Sequence, residues 1–185
     1  MNGAPQRLRG RRTLLLIAAV FLLPLAAAMW LYYSSGWRPP PLTQHGMLID
    51  PPRALPSDAL RGQWSLVLLL QGGCDSACLA SLDDLGRIRR ALDKDMTRVR
   101  RVLLHDGGCC DPGIPALAEP DILVLAAADA GGKSLRALFP PVPGATECVY
   151  IVDPHGNLVL GYPSAGARLG MLKDLERLLR LSRIG

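Results

Sequence analysis

A chain of 185 residues with 49% hydrophobic content has room for one moderate domain and an appendage. Its formal net charge of +5 is local: Arg7, Arg9, Arg11 and Arg12 supply four positive charges, residues 1 to 33 hold no acid, and the remainder carries only +1. A nearly neutral remainder with 5% aromatic residues leaves no electrostatic footprint for nucleic acid, so no nucleic-acid partner is expected.

Residues 1–12 read as a basic cytoplasmic tail. Thr13 to Tyr33 is an unbroken uncharged stretch, rich in Leu and Ala, long enough to cross a bilayer as a helix. Arginines on its near side put the amino terminus in the cytoplasm, and Trp30, Tyr32 and Tyr33 suit the far interface. The competing reading is a cleaved signal peptide, since Ala26-Ala27-Ala28 offers small residues and Pro24 interrupts the helix. The apolar stretch exceeds the ~7–15 residues of a signal core, which favours an uncleaved single-pass anchor. In either case the rest of the chain is exported, to the periplasmic side of an inner membrane, where disulfides are permitted.

Residues 34–59 read as a Pro-rich tether. Arg38-Pro39-Pro40-Pro41 is expected to be a stiff spacer, followed by a polar segment punctuated by Pro51, Pro52 and Pro56. The folded domain is expected over 60–185.

Within it, Leu66 to Leu70 is an apolar run too short for a helix, ended by Gly72-Gly73, and predicts a strand over 64–70. A run that does not alternate suits a central strand buried on both faces. Asp75 or Ser76 then caps a helix over 76–93 whose Leu79, Leu82, Leu85, Ile88 and Leu92 keep helical spacing. Cys74 and Cys78 therefore fall at a strand's carboxyl end and a helix's amino end, where chemistry collects in open α/β sheets. Unpaired amides and the helix dipole at that point stabilise a thiolate and lower a cysteine pKa.

The remaining pattern predicts strands over 98–104 and 121–127, a short helix near 132–138, a hairpin over 148–153 and 157–161, and a helix over 167–181. The turn Asp153-Pro154-His155-Gly156 is well specified, because Pro presets its first residue and Gly accepts positive φ. The last helix places Leu169, Leu172, Leu175 and Leu179 near one face. A βαβ unit followed later by αββα is the thioredoxin-like order, an α/β fold with a central mixed sheet flanked by helices, preceded here by one transmembrane helix. The extra βα segment between the two halves is an insertion.

Trp64 to Cys78 with its Leu-rich helix, and the run Tyr150-Ile151-Val152-Asp153-Pro154-His155-Gly156-Asn157-Leu158-Val159 with the closing helix, resemble the Sco/SenC family of membrane-anchored thioredoxin-fold proteins. The likeness covers roughly residues 60 to 185, and the anchor matches in architecture. It implies a role in cytochrome c oxidase assembly beside oxidase subunits or copper chaperones, with Cys74 and Cys78 binding copper or exchanging disulfides. Thiolates at i and i+4 suit Cu(I) or close into a disulfide; a purely structural disulfide fits the same spacing. The chain departs from the family at Ala145, where Sco proteins carry a ligand histidine, and has no proline just before Cys148, where thioredoxin-like reductases place one.

His105, Cys109 and Cys110 come after a strand expected beside the first, so His105 or a vicinal cysteine is a candidate to complete a metal site with Cys74 and Cys78. The bland alternative makes them loop residues. Five cysteines leave at least one unpaired within the chain; Cys148, beginning a strand, is assigned to packing. His155 reads as a solvated turn residue, and His45 as a tether residue with no partner nearby in sequence. Asp83-Asp84 and Glu119 to Asp121 read as a solvated helix face and a turn. No phosphate loop, H-E-x-x-H or nucleophile elbow is present. The residues support two functions of different class. One is a thiol–disulfide oxidoreductase or copper-handling factor working through Cys74 and Cys78. The other is a non-catalytic assembly protein that keeps the fold and a structural disulfide.

Overall fold

The computed structural model describes residues 4–34, 44–70, 72–106, 119–127, 135–145 and 147–185. The chain divides into two compact units, Met1–Leu42 and Thr43–Gly185.

The first unit is a single helix, α1 (Ala4–Tyr33). Its stretch Gly10–Tyr33 has a mean hydropathy of 2.6 and buries none of its surface in the protein. At 1.5 Å per residue it runs to roughly 36 Å, more than the ~30 Å of a bilayer core. Leu14, Leu15, Leu22, Phe21 and Trp30 are all exposed around it, so the helix is apolar all round rather than on one stripe. Pro24 lies inside without ending it.

The second unit is built on a six-stranded sheet: β1 (Met47–Ala54), β2 (Trp64–Leu70), β3 (Val99–His105), β4 (Ile122–Ala126), β5 (Cys148–Val152) and β6 (Asn157–Pro163). The order across the sheet is β1-β6-β5-β2-β3-β4. β2, β3 and β4 run parallel, while β5 and β6 pair antiparallel next to β2. Helix α2 (Ser76–Ala91) makes the crossover from β2 to β3, and α3 (Arg168–Leu181) follows β6. This is the mixed thioredoxin-like sheet expected, with β2 central in it.

The alternation along β2 divides the core. Leu66, Leu68 and Leu70 join Cys78, Leu82, Leu85 and Ile88 of α2 and Met171, Leu175 and Leu179 of α3 on one face. Val67 and Leu69 turn to the other face, with Tyr150, Val152, Phe139 and Leu135. Each such buried aliphatic side chain contributes on the order of 1.5–3 kcal/mol of transfer free energy. The hairpin turn forms as expected: Gly156 has φ +85°, and the Asp153 carboxylate accepts from the amides of His155 and Asn157 and from Asn157 Nδ2.

Two expectations need correction. Residues 47–54, read as tether, form the edge strand β1, paired antiparallel with β6. Only Ile49 of that strand is buried, and Pro51 and Pro52 fall where the register shifts between Leu48 and Arg53. An edge strand tolerates prolines because one of its sides needs no donors, so the sequence signal of a strand is hidden. Second, Leu169 is 69% exposed. The buried face of α3 is turned toward Met171, Asp174, Leu175 and Leu179, because Asp174 is drawn inward by hydrogen bonds from His45, Gly46 and Tyr162. The acidic turn before β4 forms as read and is in addition an ion-pair partner. Arg101, buried in β3, donates to both carboxylate oxygens of Asp121 at 2.7 and 2.9 Å, to Glu119, and to the main-chain oxygen of Leu82 in α2. Gly86 lies against that guanidinium; a Cβ there would stand 2.9 Å from Arg101 Nη1.

Candidate functional site

The carboxyl ends of β2, β3, β4 and β6 and the amino end of β5 share one edge of the sheet, as the registers Leu70↔His105, His105↔Ala126, Leu69↔Cys148 and Cys148↔Pro163 require. The chain leaves β2 at this edge, passes Gly72, whose φ of +104° needs a residue without Cβ, and reaches Cys74. Asp75 is the amino-terminal cap of α2.

Cys74 and Cys78 are joined as a disulfide, with their Cα atoms 5.2 Å apart. The two sulfur-bearing residues differ in access. Cys74 is half-buried, whereas Cys78 is 0% exposed and packed among Leu82, Leu85 and Leu70. A molecule arriving from solvent therefore meets Cys74.

Two amides at the amino end of α2 are engaged by its cap. The Asp75 side chain accepts from Ala77 N and Cys78 N, each at 3.0 Å.

His105, the last residue of β3, lies on the same edge. By alternation it shares the face of Leu70 and Leu103, the face that carries the disulfide. Yet among the described residues no three His, Cys, Asp or Glu side chains are gathered as a metal-binding group. The structure thus brings Cys74 and Cys78 together and leaves His105 outside such a group. Cys109 and Cys110 lie outside the described residues. The residues present fit a two-sulfur donor set for Cu(I) once reduced. Ala145 packs into the apolar cluster of the opposite face.

Cys148 is a buried free thiol. It sits at the same edge but turns to the opposite face, beside Tyr150, Phe139 and Leu69 around a cavity of about 250 Å³. Burial and the neighbouring Cys148 push the Tyr150 hydroxyl well above its ordinary range, and that hydroxyl donates to Pro140 O. Cys148 is therefore a packing residue, separated by the sheet from the disulfide. Arg136 donates to Leu70 O and pairs with Asp106 near this edge. A second cavity, about 370 Å³, is lined by Gln63, Arg89, Val99, Arg100 and Asp121 at the opposite edge, away from the cysteines.

His155 is exposed in its turn. His45 has a partner after all, 129 residues away: Asp174 accepts from the His45 amide at 2.7 Å and lies 3.1 Å from His45 Nδ1. Asp174 also accepts from Gly46 N and from the Tyr162 hydroxyl. Sequence reasoning missed Asp174, whereas it named Asp75 as a candidate cap of α2. The one available signal was an acid at the centre of an apolar helical stripe, Met171-Asp174-Leu175.

A family model described as a transmembrane-like, thioredoxin-like, C-terminal domain matches residues 64–182. The chain belongs to the transmembrane-like, thioredoxin-like family. The companion model for the transmembrane-like N-terminal domain matches residues 5–35, so α1 is the single-pass anchor of a family member. No curated protein sequence matches the chain. Solved structures similar to it include apo Sco1 from Thermus thermophilus, at 22% identity over 76% of this chain and 98% of that one, TM-score 0.49. ScoI from Arabidopsis thaliana with copper bound is 13% identical over 67% of this chain and 88% of that one, TM-score 0.47. A putative thiol:disulfide interchange protein DsbE from Chlorobium tepidum is 13% identical over 76% of this chain and all 100% of that one, TM-score 0.44. The Sco proteins that the sequence resembles are thus among its structural neighbours, and at these identities the likeness is one of fold.

Proposed function

We propose that this transmembrane-like, thioredoxin-like protein is a membrane-anchored thiol–disulfide exchange protein whose working couple is Cys74 and Cys78. The observation that carries the reading is the asymmetry of the disulfide: Cys74 half-buried at the sheet edge, Cys78 sealed beneath α2. In the oxidising direction, a thiolate of a reduced partner attacks Cys74 Sγ, the Cys74–Cys78 bond breaks, and Cys78 leaves as a thiolate that takes a proton from solvent. A second thiolate of the partner then attacks the partner's own sulfur in the mixed disulfide and expels Cys74. The partner ends as a disulfide and the two cysteines as thiols; the reverse sequence reduces a partner disulfide. The arginines ahead of α1 support a location of the domain on the exported, periplasmic side of the inner membrane.

The setting follows the Sco/SenC resemblance: assembly of cytochrome c oxidase, with oxidase subunits or copper chaperones as partners. One solved neighbour is described as belonging to the Sco family of cytochrome c oxidase assembly proteins. Cu(I) handling by reduced Cys74 and Cys78 is a second reading. What supports it is that His105 lies on the same edge and face, in register with Leu70.

The test uses the full chain in detergent micelles with a reduced dithiol peptide as probe. Cys78→Ser, reduced and activated at Cys74 as a mixed disulfide with a small thiol, should pass that bond to the peptide, and Cys74→Ser should not do so through Cys78. Absence of exchange at Cys74 would sink the reading and leave the structural-disulfide alternative. Anaerobic Cu(I) titration of the reduced chain addresses the second reading. One-to-one binding lost in Cys74→Ser/Cys78→Ser and weakened in His105→Ala supports it, and no binding above that of the double variant removes it.

A further inference from the structure

The thiol-exchange reading leaves open which way the couple is poised, and the cap of α2 bears on that question. In a helix that begins next to a redox cysteine, the first amides and the positive end of the dipole ordinarily favour the thiolate. Stabilising the thiolate stabilises the reduced form and makes the disulfide a strong oxidant. Here two of the amides between the cysteines, Ala77 N and Cys78 N, donate to Asp75 Oδ1 at 3.0 Å. The residue that takes them is covalently next to Cys74, so the same side chain withdraws two donors and sets a carboxylate on the residue adjoining the cysteine. One cation near this edge, Arg136, is engaged by Asp106 and by Leu70 O. Asp84, further along α2, is paired with Arg168.

Resting on the thiol-exchange reading, we propose that Asp75 is a positioning residue that disfavours the Cys74 thiolate and so poises the Cys74–Cys78 couple as a reductant. The carboxylate acts through the helix amides and its own charge, and takes no part in bond making. Oxidised protein gains from the cap in full. On reduction the nascent thiolate finds Ala77 N and Cys78 N occupied and a carboxylate on the neighbouring residue, so the disulfide form is preferred and electrons are passed readily to a partner disulfide. A residue of this kind separates two functions that one fold supports, since the same motif with a neutral cap would draw electrons from partner thiols.

Asp75→Asn isolates the charge, because an amide oxygen still accepts from Ala77 N and Cys78 N and the cap is kept. Full-length wild type and variant, in the same micelles, are equilibrated with reduced and oxidised glutathione. Separately, the chemically reduced proteins in a Cys109→Ser/Cys110→Ser/Cys148→Ser background are alkylated with iodoacetamide across pH. The expected result is an equilibrium constant at least tenfold more favourable to the dithiol form in Asp75→Asn, equivalent to about 30 mV for the two-electron couple. The midpoint of Cys74 alkylation is expected to move to lower pH. Asp75→Glu, which keeps the charge, should stay near wild type in both readouts, whereas a merely structural cap would leave the two readouts of Asp75→Asn unmoved. Unchanged values, or shifts in the opposite sense, overturn the proposal. A wild-type disulfide that does not equilibrate with glutathione defeats the exchange reading instead, and the alkylation profile of the reduced chain still decides the role of Asp75.

Discussion

Asp174, near the middle of α3, accepts the backbone amide of His45 at 2.7 Å and lies 3.1 Å from its ring Nδ1, across 129 residues of sequence. The pair fastens the chain entering β1 to the helix that follows β6. The same carboxylate receives Gly46 N and the Tyr162 hydroxyl, so a buried acid has four donors around it. Close packing accompanies the bonds: a Cβ on Gly46 would meet the Tyr162 ring at 2.4 Å.

Removing the acceptor should therefore be costly. Asp174→Ala leaves two amides and a buried hydroxyl short of a partner, at about 1–3 kcal/mol for each group that water does not reach. A loss of about 3 kcal/mol is expected by urea unfolding of the micelle-bound chain, against about 1 kcal/mol for Tyr162→Phe. A loss below about 1 kcal/mol for Asp174→Ala would show that β1 is not held by this contact.

Acid should weaken the domain in a defined window. Burial pushes Asp174 upward, but the bonds from His45, Tyr162 and the two amides outweigh it and hold the group below the usual carboxylate value. Asp121 is lowered chiefly by its bond to Arg101, against burial. A depressed folded-state pKa contributes stability that is complete above the unfolded value of about 3.9 and is lost as pH falls through the folded value. Thermal midpoints should be flat near neutrality and decline below about pH 4. The decline should be shallower in Asp174→Asn and Asp121→Asn, and parallel curves for wild type and variants would contradict this origin.

Gly86 and Arg101 should be coupled. In an exposed helix interior Gly→Ala gains about 1 kcal/mol, but here the added carbon stands 2.9 Å from a guanidinium fixed by Asp121, Glu119 and Leu82 O. Gly86→Ala is expected to destabilise by about 1–2 kcal/mol. In the Arg101→Met background the penalty should shrink or reverse, giving a coupling of about 1 kcal/mol or more in a double-mutant cycle. Asp121→Ala, which strips a buried cation of its principal partner, should cost about 3 kcal/mol.

The β5–β6 turn offers a local test. Gly156 holds φ +85°, a left-handed conformation that costs other residues roughly 1–2 kcal/mol. Gly156→Ala should lower stability by about that amount, while His155→Ala, exposed in the same turn, should leave the unfolding midpoint in place. Equal effects of the two substitutions would argue against backbone conformation as the cause.

Local pattern carried much of this protein. The run Trp64–Leu70 and the amphipathic stretch from Ser76 announced β2 and α2 within a residue or two, because burial on both faces or on one helical stripe imposes a period that the chain must spell out. Asp153 and Gly156 marked their turn for the same local reason. The cysteine pair, four apart at a strand–helix junction, was legible as a site before any geometry was known. The edge strand β1 was not, since its prolines follow loop statistics and its pairing with β6 is satisfied from one side only.

By itself, then, the sequence determined the anchor, the thioredoxin-like order of elements and the candidacy of Cys74 and Cys78, all consequences of composition and short-range period. Only the tertiary structure decided that Cys74 is the reachable sulfur and Cys78 the sealed one, that Cys148 faces away from both, and that Asp75 takes the amides at the start of α2. It alone joined His45 to Asp174 and Arg101 to Asp121. Exposure and charge pairing depend on which residues the sheet brings together across 20 to 129 positions, and no local period records a contact of that range.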